Sequence, residues 1–249
     1  MKFRPFVFED IDAVADLVRK MWHCESPDGG PIDEKLAMLL AKIDFAHYLP
    51  PASRIEVAID ESDGSILGVT SARIEGCKPI FSDSSSIDSY VQDCISKAES
   101  MENGRKALDL QSVDFADTER FILENTKEIR TELQLFLVSE KSRGTGIGSQ
   151  LFERFLKACG DNAASDSLVS GDSASACASS ACASSACDSS ACDSSAGARF
   201  FLFTDSTCNW QWYQRRGLVR IAQKMSSDPK IDLGADKFIY ADIYADKPV

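Results

Sequence analysis

Histidine is almost absent from this chain: His23 and His47 are the only two in 249 residues. No Ser/His/Asp or Cys/His arrangement emerges, and Cys208 has no base near it in sequence. Positive charge is also short. Lys and Arg total 27 against 39 Asp and Glu, a net charge of −12. Such a field repels phosphate backbones and anionic lipid, so neither nucleic acid nor a membrane surface is an expected partner. No apolar run approaches the roughly 18–20 residues that a span requires. The opening Met1-Lys2-Phe3-Arg4-Pro5-Phe6 has no apolar signal region and no small-residue cleavage site, so a cytoplasmic chain is expected. An odd number of cysteines, nine, without an export signal argues for free thiols in a reducing compartment.

What is present reads as an ordinary globular composition, 44% hydrophobic and 27% charged, long enough to bury a sizeable core. Residues 161–198 are the exception. This stretch is nearly all Ser, Ala, Asp, Gly and Cys, and Cys177, Cys182, Cys187 and Cys192 recur at regular intervals in it. It cannot bury enough apolar surface to offset its ordering entropy, which predicts a disordered insertion dispensable for turnover. Soft-metal binding by the spaced cysteines is the minor alternative. Known zinc and cluster spacings are tighter or mixed with histidine, so no metal is expected.

Ahead of that tract, strands and helices alternate. A strand is predicted over Lys2–Phe8, then a helix from Asp10 carrying Ile11, Val14, Ala15, Leu17 and Val18 at helical spacing. Cys24–Pro31 reads as a loop, and Asp33–Tyr48 as a helix ended by Pro50-Pro51. Arg54–Ile59 and Ser65–Ile74 read as a hairpin. Residues 76–130 interrupt the pattern as a helical insertion. One helix follows the stripe Ile87, Tyr90, Val91, Cys94, Ile95 and Ala98, with a cap-like start at Ser85 and Asp88; a second is expected over Asp114–Glu128. Glu132–Val138 is the strongest strand, with Leu133, Leu135 and Leu137 expected on one face and Phe136 and Val138 on the other. Apolar on both faces, it should be central and covered on both sides. Further on, Phe200–Thr204 reads as a buried strand and Asn209–Arg216 as a short helix. Leu218–Met225 and Lys237–Tyr244 are expected to pair.

The central strand feeds Arg143-Gly144-Thr145-Gly146-Ile147-Gly148-Ser149 and then a helix bearing Leu151, Phe152, Phe155 and Leu156. A buried strand, a glycine-rich turn and a helix start make an anion site. The first helical amides lack internal acceptors, and the helix dipole favours negative charge there. Arg143 adds a guanidinium suited to phosphate oxygens. A tight turn that merely needs glycine is the plainer reading. A Walker A loop would need Gly-Lys-Ser/Thr. In a dinucleotide fingerprint the third glycine would come one residue later. Neither matches.

The pattern Arg143-x-x-Gly146-x-Gly148 at such a strand end resembles the acyl-CoA loop of the GNAT N-acetyltransferase superfamily. So does Asn209-Trp210-Gln211-Trp212-Tyr213-Gln214-Arg215-Arg216-Gly217-Leu218, with an aromatic–Tyr pair four residues before a Gly–apolar pair. The element order before the loop is also the family's. Without the two insertions, the remaining chain is close to the usual family domain. The resemblance implies a single α/β domain whose mixed, mostly antiparallel twisted sheet is flanked by helices.

It further implies acetyl transfer from acetyl-CoA to a primary amine, on a small molecule or a peptide, by direct attack. The pyrophosphate would take amides from Arg143 through Ser149, with Asn209 nearby. The pantetheine arm would pair along Phe136, Leu137 and Val138 like an added strand. Tyr213 would act as general acid toward the leaving thiolate; the plainer reading is a core aromatic beside Trp210 and Trp212. Glu132 is the first choice for the general base and Glu75 the second, although each reads equally as a solvated carboxylate. His23 reads as an incidental surface residue, with lining the acceptor pocket as the alternative. The helical insertion is expected to wall that pocket. A non-catalytic acyl-CoA-binding module on the same fold is the alternative function, a nucleotide-binding protein is a third class, and a homodimer is left open.

Overall fold

A computed structural model of the chain describes residues 1–25, 30–169, 200–226 and 235–242, with the backbone alone for 161–169. Seven strands form one mixed sheet: β1 (Lys2–Pro5), β2 (Arg54–Ile59), β3 (Ile66–Arg73), β4 (Glu132–Val138), β5 (Phe201–Asp205), β6 (Val219–Lys224) and β7 (Lys237–Ala241). Their spatial order is β1-β2-β3-β4-β5-β7-β6, so β4 is central. Only β4 and β5 run parallel; the other neighbours are antiparallel.

Helices cover both faces. On one lie α1 (Ile11–Trp22), α2 (Glu34–His47), α3 (Ser85–Glu99) and α4 (Gly104–Asn125); on the other lies α5 (Ile147–Val169), and α6 (Gln211–Arg215) follows β5. The α1 stripe of Ile11, Val14, Ala15 and Val18 is buried against Phe45, Val57, Val69, Leu135 and Leu137. Asp33 caps α2, accepting from the Lys35 and Leu36 amides at 2.9 and 3.1 Å. Across the sheet, Phe152 and Phe155 of α5 pack with Phe200, Leu202 and Tyr240.

Several boundaries differ from expectation. β1 stops at Pro5, and Phe8–Asp10 forms a 3-10 turn. Asp10 does not cap α1. Its carboxylate is taken by Arg4 at 2.6 and 2.7 Å and by the Val7 amide at 3.0 Å. At the start of α3, Asp83 accepts the Ser85 amide and Ser84 bonds Asp88, so the capping residues precede the expected Ser85. α4 starts ten residues before the expected Asp114 because Gly104 lets its first turn meet α3: a Cβ on Gly104 would stand 1.7 Å from the Ala98 carbonyl oxygen. α5 continues to Val169, carrying helical backbone into the first residues of the low-complexity segment. The remainder of that segment, including its four cysteines, lies outside the described residues.

β4 also departs from simple alternation. Ser71 faces Leu135 while Ala72 faces Leu133, leaving Gln134 as an extra residue. The bulge turns Leu133 toward the α5 side, with Phe152, Phe155 and Leu202, while Leu135 and Leu137 pack on the α1–α2 side. The three leucines do not share a face. Beyond the bulge β4 loses β5: the two pair only at Glu132↔Phe201 and Leu133↔Leu202. The β4 edge over 134–138 therefore has no strand beside it on the β5 side.

Candidate active site

The glycine-rich turn sits at the far end of that free edge. After β4, a 3-10 turn over Glu140–Ser142 leads to Arg143. Gly144 and Gly146 have φ of +77° and +86°, a left-handed conformation that suits glycine. Residues 143–146 are exposed. Not every amide expected to be free is free. The Arg143 amide donates to the Glu140 carbonyl at 3.2 Å, and that of Thr145 to the Ser142 carbonyl at 3.4 Å, because the turn closes on itself. The amides of Gly144, Gly146, Ile147, Gly148 and Ser149 have no protein acceptor among the described residues; the first α5 bond runs from Gln150 to Gly146. Ile147 anchors the turn, its side chain buried with Leu151 and Ala58.

Arg143 is exposed and passes 3.8 Å from the Met21 sulfur. A second guanidinium, missed in the sequence, stands beside the same helix start. Arg216 donates to the Ser149 hydroxyl and lies 4.5 Å from the centre of the Trp212 ring. The Arg215-Arg216 pair before Gly217 was the signal, but only folding brings it to the turn.

Phe136 connects the turn to the phenol. A Cβ on Gly148 would lie 3.4 Å from the tip of the Phe136 ring and 3.3 Å from Val138. That ring packs against Trp212 and Tyr213, with centroids 5.3 and 6.4 Å away. Tyr213 is half-buried among aromatic rings, and its hydroxyl has no hydrogen-bond partner among the described residues. Burial, then the neighbouring Cys208, raise its pKa, so the phenol keeps its proton at neutral pH. Asn209 is exposed, and its carbonyl accepts from the Trp212 amide at 3.0 Å.

Glu132 marks the point where β4 and β5 part. Its side chain is 14% exposed and 3.1 Å from Arg73. Burial lifts its pKa above the usual glutamate value, and Arg73 opposes the rise. Burial first, then the charges of Asp44, Glu132, Asp114 and Cys208, raise the pKa of the Tyr48 hydroxyl. The indole N–H of Trp22 is buried without a hydrogen-bond partner among the described residues, and Trp22 stands beside the Cys208 thiol. Trp22 and Tyr48 pack on the α1–α2 side of the sheet, the side to which Glu132 turns because its neighbour Leu133 faces α5.

Glu75 is elsewhere: exposed, with Arg130 at 3.4 Å, at the start of the segment after β3. His23 is not an incidental surface residue. Its Nε2 meets Asp44, whose other oxygen accepts from Gln111 at 2.6 Å. The ring therefore ties the end of α1 to α2 and α4. Among the described residues no group of His, Cys, Asp and Glu is placed to hold a metal, and no helix is long and apolar enough to cross a membrane.

No family model and no curated protein matches the chain significantly. Solved structures do match. An N-acetyltransferase from Staphylococcus aureus gives a TM-score of 0.48 at 11% identity, covering 97% of this chain and 100% of that one. A protein described as histone acetyltransferase HPA2 and related acetyltransferase, from Corynebacterium glutamicum, gives 0.47 at 15%, covering 100% and 98%. A mosquito protein described as arylalkylamine N-acetyltransferase like 5b gives 0.46 at 10%, covering 97% and 99%. These neighbours are acetyltransferases by name. At such scores and identities the likeness fixes neither an activity nor a ligand for this chain.

Proposed function

We propose that the chain is a cytoplasmic GNAT-type N-acetyltransferase that moves the acetyl group of acetyl-CoA to a primary amine. One observation carries the reading. β4 leaves its neighbour after a bulge at Gln134, and its free edge runs past the Phe136 ring that joins the turn with its free amides to Tyr213, whose hydroxyl has no partner among the described residues.

The turn offers five amides, Arg143 and Arg216 to a diphosphate. The free β4 edge along Phe136, Leu137 and Val138 offers backbone groups to an amide-bearing arm. In this reading the thioester lies near Tyr213 and Glu132. In the reaction the amine nitrogen bonds to the thioester carbonyl carbon and the C–S bond breaks. Tyr213 donates its proton to the departing sulfur. Glu132, directly or through water, takes a proton from the amine. A free alkylamine titrates near 10.4, so only about one molecule in 10³ is neutral at pH 7. A carboxylate with a raised pKa is a better acceptor for that proton than an ordinary one. Among the described residues the thiols of Cys24, Cys77, Cys94 and Cys208 form no disulfide, in keeping with a reducing compartment.

The test is acetyl-CoA with a panel of amines, following thermal protection and free thiol release. Protection together with amine-dependent thiol release is the expected result. Protection without release for any amine would point to a non-catalytic acyl-CoA-binding module. Protection by ATP or NAD in place of acetyl-CoA would overturn the reading.

A further inference from the structure

The helical insertion puts α4 into the groove between α2 and the C-terminal strands. One stripe of α4 rests on α2. Gln111 donates to the Leu40 carbonyl at 3.1 Å and to Asp44 at 2.6 Å, and Phe115 stacks on His47 with centroids 4.8 Å apart. The adjacent stripe rests on the strands. Lys237 of β7 reaches Asp114 at 2.8 Å, Asp117 at 3.1 Å and Thr118 at 2.9 Å. Lys224 of β6 reaches Asp117 at 2.7 Å, and Phe121 packs on Phe201, Ile239 and Ala241. The α2 side chains sit over β2–β4, whereas Phe121 sits over β5 and β7. The groove that α4 fills therefore lies above the parting of β4 and β5, on the face to which Glu132 and Tyr48 turn.

We propose that α4 is the specificity wall of the amine site, admitting a compact amine and shutting out peptides and protein chains. The proposal rests on the acetyltransferase reading. A polypeptide lying across this face would need the groove that α4 occupies through its contacts with α2 on one side and with β5 and β7 on the other; a short amine needs only room to reach the parting strands.

The experiment uses the full chain with acetyl-CoA and three acceptors: 1,4-diaminobutane, butylamine, and a twelve-residue peptide with a free N-terminus and one lysine. The expected kcat/KM for each small amine exceeds that for the peptide by about tenfold or more. The acceptor panel is run on the unaltered chain and needs no variant. Peptide acetylation as efficient as that of the diamine overturns the proposal. Acetyl-CoA protection without turnover of any acceptor overturns it too, while leaving coenzyme binding intact. Absence of acetyl-CoA protection shows instead that the parent reading has failed.

Discussion

Tyr213 keeps a hydroxyl that no described protein group satisfies, beside the rings of Phe136, Trp212 and Tyr240. A half-buried, unpartnered hydroxyl contributes nothing evident to stability. Tyr213→Phe should therefore leave the unfolding free energy within about 0.5 kcal/mol of the parent in urea titrations. Its kcat should drop about 10²-fold through loss of the proton donor, with acetyl-CoA affinity kept. Glu132 makes a complementary case. Burial places its pKa above the ordinary 4.5. Below that pKa the carboxyl is protonated and cannot accept a proton, so activity falls as pH falls. With an aniline-type acceptor that stays neutral, kcat/KM should show an acid limb above pH 4.5, and Glu132→Gln should abolish it. The effect on stability has the opposite sense. A raised folded pKa contributes stability below the unfolded value, and this is lost as pH rises through the folded one.

At the scale of elements, the turn before α5 depends on how closely it approaches β4. Gly148 has no Cβ, and one added there would press on Val138 at 3.3 Å and on the Phe136 ring at 3.4 Å. Gly148→Ala should shift that ring by a few tenths of an ångström and raise the acetyl-CoA KM about fivefold, with a stability loss of about 1–2 kcal/mol. Steady-state kinetics beside a denaturation curve would separate the two effects. This turn was legible in the sequence because its signals are local: alternate glycines, an adjacent Arg, and a strand feeding a helix. The limits of β4 were legible for the same reason. What could not be read depends on contacts between distant segments. The bulge at Gln134 breaks the two-residue period on which the reading of Leu133 rested. The first turns of α4 are held by the close approach of Gly104 to Ala98, by Ala107 and Leu108 packed with Leu36 and Leu40, and by polar bonds from Gln111 to α2; so few apolar residues leave only a short stripe. His23 looked isolated because its partner Asp44 comes from the next helix and Gln111 from the insertion. Arg216 approaches Ser149 only once β5 is in place.

For the molecule as a whole, the parting that opens the site also weakens the sheet. Among the described residues its two parts, β1–β4 and β5–β7, are joined through only the two residue pairs at Glu132 and Leu133. Helices on each face supply the rest of the joint. α5 spans one face through Phe152 and Phe155 against Phe200, and α4 spans the other through Phe121 on the strands and Gln111 and Phe115 on α2. The insertion is thus part of the core. Deleting 83–130 would uncover Leu36, Leu40, Phe201, Ile239 and Ala241, which now pack against its helices. It would also strip Lys237, 4% exposed, of Asp114, Asp117 and Thr118. Burial lowers the pKa of that ammonium and the two carboxylates more than restore it; without them a buried cation stands alone, at a cost of several kcal/mol. Losses of this size approach the roughly 5–15 kcal/mol by which a domain is stable. The shortened chain should therefore show no cooperative thermal transition and should bind a hydrophobic dye at 25 °C. A single sharp transition within a few degrees of the full chain would mean instead that the insertion is an appendage and that β4–β5 pairing with α5 holds the sheet unaided.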